Sequence, residues 1–292
     1  MKQWAGTTFG SSWMHKSLVW MLRYIDAGFF YFFASVFVVP FVLIFGRSRS
    51  VIYRYMRKRM GFGRLRAAWY TYLNHSGFAE AVIDKFAMYA GKRFKVDIEG
   101  YDYYLELAKR DEPFLQLSSH IGNYEIAGYT LKAEKILNAV VYFNEKEMVM
   151  RGRDSIFRST NVRMIPVAND MSHLFLINSA LEKGEVVSIP ADRIWGSSKK
   201  IDKEFLGATA SFPYGPFTIA TIRSLDVISV HVMKSSHRQY NIYVKPLEYD
   251  KTASRGEQVR QLSDSYVKEM ERILKLYPRQ WYNYFDFWQN ND

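Results

Sequence analysis

The longest uninterrupted apolar stretch of the chain runs from Ala27 to Phe45, AGFFYFFASVFVVPFVLIF, and holds no charged residue. Coiled as a helix it measures about 28 Å, close to the roughly 30 Å hydrocarbon core of a bilayer. Pro40 inside it leaves open a kinked or re-entrant course beside a straight span. The run is too long, starts too late and lacks the small-residue cleavage site of a signal peptide. A buried core helix is the competing reading. Trp4, Trp13, Trp20 and Tyr24, mixed with Lys16 and Arg23, suit a headgroup-level approach to such a segment, and equally core packing. Residues 46–92 then alternate basic and aromatic positions and predict one or two helices broken near Gly61-Phe62-Gly63.

From Phe94 onward short apolar runs alternate with helix-like segments. Strands are predicted over 94–98, 113–117, 139–143, 162–166 and 186–190, and a hairpin over 226–233 and 240–247 around His237-Arg238. Helices are predicted over 101–109, about 123–135, about 145–157, 172–183 (stopped by Gly184), 217–223 and 257–276. The alternation implies an α/β layered domain with a mixed, partly parallel sheet flanked by helices. An N-terminal hydrophobic helix serves as its membrane anchor. The expected division is an anchor over 1–50 and the layered domain over 51–292.

Composition narrows the function classes. With 48% apolar and 24% charged residues the chain can fill a core and is not a disordered polyelectrolyte. It has no cysteine, which excludes disulfides, thiolate metal sites and a Cys nucleophile. The net charge is +11 and local: no acid lies between Asp26 and Glu80, while seven arginines and Lys58 crowd residues 47–66. Such a cluster serves either nucleic acid or an anionic membrane surface. The apolar run directly before it decides for the membrane, met through residues 46–70, and against nucleic acid. Arginines just after the run also place the following domain on the cytoplasmic side, if the run spans.

The candidate chemistry centres on Leu115-Gln116-Leu117-Ser118-Ser119-His120-Ile121-Gly122-Asn123-Tyr124-Glu125. A buried strand ends here in a small polar turn, and open α/β sheets gather their ligands at the carboxyl ends of strands. On one continuous helix five residues separate two side chains by about 140°. With His120 in the turn instead, Glu125 can curl back to one ring nitrogen and leave the other as a proton acceptor in a fixed tautomer. That arrangement deprotonates a hydroxyl or amine attacking an acyl carbon. A second strand end, Ile189-Pro190-Ala191-Asp192-Arg193, carries an acid beside a base. Arg193 there can face an anionic substrate group, and Asp192 can orient it or bind the acceptor. The stretch from Glu204 to Phe217, with Gly207, Ser211 and Gly215, reads as a rigid loop whose N–H groups can cradle a phosphate. Gly-x-Ser-x-Gly, His-Glu-x-x-His, P-loop and Gly-x-Gly-x-x-Gly motifs do not occur. The other histidines lack metal-ligand spacing, so neither a metal nor another cofactor is expected.

His120-x4-Glu125 is similar to the His-x4-Asp/Glu signature of the glycerolipid acyltransferase superfamily. Asp192-Arg193-x-x-Gly196, then Phe205-Leu206-Gly207 through Phe212-Pro213-x-Gly215-Pro216, resembles the third block of the lauroyl and myristoyl transferases of lipid A biosynthesis. Pro278-x-Gln280-Trp281-Tyr282 is similar to that family's closing motif. The resemblance runs over roughly residues 15–288, with the motifs in order. It implies transfer of a fatty acyl chain from acyl carrier protein or coenzyme A to a hydroxyl (or amine) of a lipid acceptor, of the lipid A type in first place, at the cytoplasmic face of a bacterial inner membrane. It makes His120 the base and Glu125 its orienting acid, and 51–292 the acyltransferase domain. The family's second-block arginine corresponds to Arg151, Arg153 or Arg158, with Arg158 preferred for its place before the 162–166 strand. Two departures bear on the acceptor. Arg193 stands where Gln or His is usual, and the segment after Tyr282 is aromatic and acidic where lipid A enzymes continue with basic residues. A lysophospholipid, an aminolipid or a polyene pigment is therefore the alternative acceptor, and a non-catalytic protein bound to anionic membrane the alternative class.

Overall fold

The computed structural model describes residues 12–127, 135–141, 161–167, 171–194 and 199–288. Nine strands are placed among them: β1 (Lys95–Glu99), β2 (Phe114–Ser118), β3 (Leu137–Val141), β4 (Val162–Pro166), β5 (Val186–Pro190), β6 (Lys200–Phe205), β7 (Ala208–Pro213), β8 (Asp226–Ser236) and β9 (Gln239–Pro246). Seven of them form one sheet in the order β1-β9-β8-β2-β5-β3-β4. All its pairings are parallel except the β8–β9 hairpin, so the expected mixed, mostly parallel sheet is present. Strand β2 lies at its centre and is buried along its whole length, as an apolar run covered on both faces must be.

Alternate residues of the central strands feed two cores. Leu115, Leu117, Val187 and Ile189 face the long C-terminal helix (Arg255–Leu276), which contributes Leu262, Tyr266, Met270 and Ile273. Phe114, Ile228 and Val230 face the opposite layer, where Tyr104 and Leu107 come from the helix Tyr101–Lys109. Each such side chain contributes roughly 1.5–3 kcal/mol by leaving water.

The segment read as a rigid phosphate loop is mostly strand. β6 and β7 form an antiparallel hairpin joined by Leu206-Gly207, both with positive φ (50° and 75°). Two such residues make the tight turn whose twist suits a hairpin. Its alternation buries Phe205, Ala210 and Phe212 and exposes Asp202, Glu204 and Thr209, a period-two pattern that the surrounding glycines and prolines obscured. The helix that follows spans Gly215–Ile222. The helix expected over 123–135 opens as a 3-10 turn, Tyr124–Ile126. The helix expected over 145–157 lies outside the described residues, as do Arg151, Arg153 and Arg158.

The apolar run forms one helix, Ala27–Phe45, with a π-turn at Ala34–Val38. That turn sets Pro40 in the first turn of the last α segment, where its missing N–H leaves no gap. The helix packs lengthwise on the helix Arg64–Tyr89, turning Tyr31, Ala34 and Val39 inward. Phe29, Phe32, Phe37, Phe41, Ile44 and Phe45 remain exposed, and only 17% of the run is buried. Polar contacts fasten it. Asp26 caps its N-terminus at Gly28 N (2.9 Å) and meets His237 Nε2 (3.0 Å) and Arg238 at the tip of the β8–β9 hairpin. The Tyr31 hydroxyl donates to Asp84, which is fully buried and also takes Lys234 Nζ (2.7 Å) and the Tyr240 hydroxyl.

Candidate active site

Strands β2 and β5 run parallel with Ser118 opposite Pro190. Two residues past each of those positions stand His120 and Asp192, so the register delivers both to one place at the carboxyl edge of the sheet. Asp192 Oδ1 lies 2.8 Å from His120 Nδ1, and Asp192 Oδ2 accepts the His120 backbone N–H at 2.8 Å. Asp192 is 1% exposed, while the His120 side chain is 24% exposed. With Nδ1 engaged by the carboxylate, Nε2 makes no hydrogen bond to a described residue. The ring is thus neither walled in nor unsupported. Burial would push the Asp192 carboxyl up. The adjacent His120 ring and its hydrogen bonds, with the charge of Arg193, outweigh it and hold that carboxyl below its ordinary value.

The acid on the ring is therefore Asp192, and the expectation that Glu125 holds His120 is corrected. Glu125 sits in the 3-10 turn with Oε1 2.9 Å from Lys85 Nζ on the helix Arg64–Tyr89, both side chains largely buried. The chain passes the ring before it can fold back: the turn starts at Tyr124, whose ring meets His120 edge-on at 6.1 Å. Asp192 was expected to orient Arg193 or to bind the acceptor; its two oxygens are instead spent on His120.

The loop carrying His120 is fixed from three sides. Tyr282 N donates to His120 O (3.2 Å) and Gly122 N to Gln280 O (2.7 Å), with Ile121 bridging Trp281. Asn123 N donates to Val232 O on β8 (2.8 Å). Gly122 adopts φ +68°, and a Cβ there would fall 1.9 Å from Val232 O, so no other residue fits. Beneath the loop, Ser119 Oγ lies 3.2 Å from His231 Nδ1 and the Tyr266 hydroxyl donates to Ser118 O (2.9 Å). His231 is 1% exposed, and burial lowers its pKa to about 4, so it is a neutral packing partner. Ser119 is equally buried, which suits a structural hydroxyl better than a nucleophile.

Gln280 explains its place in the closing motif. Its amide accepts Lys234 N (2.9 Å) and donates to Lys234 O (2.7 Å), clamping the C-terminal segment to β8. Arg193 Nη2 donates to Tyr282 O (3.2 Å), and its guanidinium lies over Phe285 at 5.5 Å. Burial lowers the Arg193 pKa, opposed by Asp192. The remaining expected residues belong to the β6–β7 hairpin and the helix after it. Gly207 is at the exposed tip of the β6–β7 turn, and Gly215 opens the helix at the other end of β7, about 20 Å of strand from Gly207. Ser211 bonds across the hairpin to Asp202 (2.5 Å) and Lys200 (3.3 Å). Reasoning from sequence missed the His120–Asp192 pairing and the roles of His231 and Lys85. The equal offset of His120 and Asp192 from two strand ends was the available signal.

Among known proteins, the model of the bacterial lipid A biosynthesis acyltransferase family matches residues 81–289. No curated protein matches the chain. Among solved structures, the 1-acyl-sn-glycerophosphate (LPA) acyltransferase PlsC from Thermotoga maritima aligns over 90% of this chain and 98% of its own, at 15% identity and a TM-score of 0.40.

Proposed function

We propose, on the premise that this chain belongs to the bacterial lipid A biosynthesis acyltransferase family and is a lipid acyltransferase, that His120 is its general base and Asp192 the acid that orients it. The observation that carries this is the two-point hold of Asp192 on His120, which fixes the ring and leaves Nε2 open. Nε2 takes the proton of an acceptor hydroxyl (or amine) as its oxygen or nitrogen attacks the carbonyl carbon of an acyl thioester. The imidazolium, stabilised by the Asp192 carboxylate, returns that proton to the departing thiolate. The donor thioester is on acyl carrier protein or coenzyme A, and the basic face over residues 46–70 suits an acidic carrier. Arg193, whose charge also acts on Asp192, can serve a developing oxyanion or a substrate phosphate. Glu125, paired with Lys85, keeps a second carboxylate in the turn that follows the base.

Family membership sets aside the non-catalytic reading. A lipid A-type acceptor at the cytoplasmic face of the inner membrane is the first choice. Another lipid acceptor is favoured by one observation: Asp286 of the closing segment is paired with Arg54 at 2.5 Å, where a basic segment would have left that arginine to the substrate. The test is purified protein with labelled acyl donor and candidate acceptors, wild type against His120→Ala. Transfer retained above about a tenth of wild type would end the assignment, since general-base catalysis contributes about 10²–10⁴-fold. Lipid mass spectrometry of a deletion strain separates the acceptors: unchanged lipid A acylation excludes the first.

For the membrane, we infer that Ala27–Phe45 inserts its exposed face while staying docked on the domain. Asp26, Tyr31 and Ser35 each bond residues of that domain along its length, including Tyr72 to Ser35 O at 3.2 Å. A helix crossing the bilayer alone would strip the buried Asp84–Lys234 pair of a partner.

A further inference from the structure

The side chain of Asp84 has no exposed surface. A carboxylate so placed is costly unless its oxygens are bonded and a cation lies beside it. Its partners come from three other elements. Oδ1 takes the Tyr31 hydroxyl of the apolar helix, while Oδ2 takes Lys234 Nζ (2.7 Å) from β8 and the Tyr240 hydroxyl from β9. Burial pushes the Asp84 carboxyl up, against the Lys234 charge and these hydrogen bonds. Lys234 Nζ also meets Glu80 Oε2 (3.1 Å) and lies 4.1 Å from the centre of the Tyr31 ring.

The same residues run on into the loop of the base. The Tyr240 hydroxyl gives its proton to Asp84 and accepts Asn123 Nδ2 (3.3 Å), three residues past His120. Asn123 Nδ2 also reaches Ala81 O (3.4 Å), one helical turn before Asp84, and Asn123 N bonds Val232 O, two residues before Lys234. Lys234 is the residue whose backbone N and O the Gln280 amide clamps, and Gln280 O takes Gly122 N. Through Tyr240 and through Lys234, the buried acid therefore leads to residues 122 and 123.

We propose that Tyr31 and Asp84 are positioning residues for acyl transfer: the apolar helix, through the Tyr31 hydroxyl and this buried acid, sets the seat of the His120 loop. The inference deepens the acyltransferase reading and rests on it. Removing the Tyr31 hydroxyl leaves Oδ1 a buried carboxylate oxygen without its donor. The carboxylate is then free to turn on Lys234 and Tyr240, and any turn shifts the hydroxyl that Asn123 holds. A contact that only fastened the helix to the domain would leave that loop unmoved.

The experiment takes the full chain in detergent micelles, wild type against Tyr31→Phe, which removes the donor and keeps the ring. Amide hydrogen exchange is followed over peptides covering residues 118–126 and 25–47. Exchange over 118–126 is expected to rise roughly tenfold, and Asp84→Asn, of the same shape, is expected to loosen the same amides. Turnover is measured with acyl-coenzyme A and, in the micelles, a lipid A precursor or lysophosphatidic acid. The expected result for Tyr31→Phe is kcat down roughly tenfold with KM for donor and acceptor unchanged. Phe41→Ser is the control: Phe41 lies on the exposed face of the same helix, away from Asp84. It should weaken binding to anionic vesicles and leave loop exchange and kcat in micelles like wild type. Faster exchange confined to 25–47, an unchanged kcat, or an equal loss in Phe41→Ser each overturns the positioning role. The exchange readout needs no turnover, so the link from Tyr31 to the loop and the role of His120 as base fail or stand separately.

Discussion

Ser118 and Pro190 face each other across β2 and β5, and this one register pair is what sets His120 against Asp192. Replacing Asp192 by Asn keeps the size but supplies a neutral group that cannot hold the imidazolium. We expect Asp192→Asn to lower kcat by about 10²–10⁴-fold with KM little changed. Glu125→Gln should act more mildly, through the turn that Lys85 anchors. Steady-state kinetics on both variants decide between the two acids, and a greater kcat loss in Glu125→Gln would return the orienting role to Glu125.

Gly122 couples backbone geometry to the base two residues earlier. Alanine at its φ of +68° costs about 1–2 kcal/mol and drives a Cβ into Val232 O. The loop must lift, and a displacement of about 1 Å at a reacting group can cost about 100-fold in rate. The expected result for Gly122→Ala is a folded protein with a lowered Tm and transfer down by about two orders of magnitude. Wild-type rates would refute the tight fit.

His231 makes stability depend on pH. Its folded pKa of about 4 lies below the ordinary 6.5. Between those values the unfolded chain takes up a proton that the folded chain refuses. Stability is thus full above about 6.5 and declines as pH falls toward 4, by at most roughly 3 kcal/mol. Chemical denaturation at pH 7 and pH 4.5 should show the decline in wild type and a shallower one in His231→Gln. Asp192, with its pKa held low, adds a loss only below about pH 4.

The docked apolar helix yields a depth measurement. The chain has no cysteine, so a single Cys at Phe37 can carry a probe without further engineering. A helix lying in the interface buries its apolar face about 5–10 Å deep, whereas the middle of a spanning one sits about 15 Å deep. We expect the shallow value in anionic vesicles. Asp84→Ala, which leaves Lys234 with Glu80 alone at 3.1 Å, should destabilise the protein by about 3–5 kcal/mol and expose residues 25–47 to protease.

What the chain discloses unaided divides by sequence distance. Apolar runs marked β2 and β5 within a residue or two, and the His120 turn was legible because strand, turn and motif lie together. The partner of His120 was not, because Asp192 stands 72 positions away and only the strand order makes them neighbours. Glu125 was chosen for nearness along the chain, and Lys85, from another helix, claims it. The β6–β7 hairpin was missed because Gly207, Pro213 and Gly215 drew attention to turns while Phe205 and Phe212 kept strand alternation. Nothing in the sequence singles out Asp84; its burial among Tyr31, Tyr240 and Lys234 needs three other elements in place.

The clamp of Gln280 on β8 has a consequence for synthesis. The loop bearing the base draws its last backbone bonds from residues 280–282, made 160 positions after it. A nascent chain can bring its apolar helix to the bilayer long before those residues emerge, so it reaches the lipid as a scaffold with an unlocked centre. Catalytic competence arrives only once residues 280–282 are in place, and truncation just short of Gln280 should leave a membrane-bound chain unable to turn over.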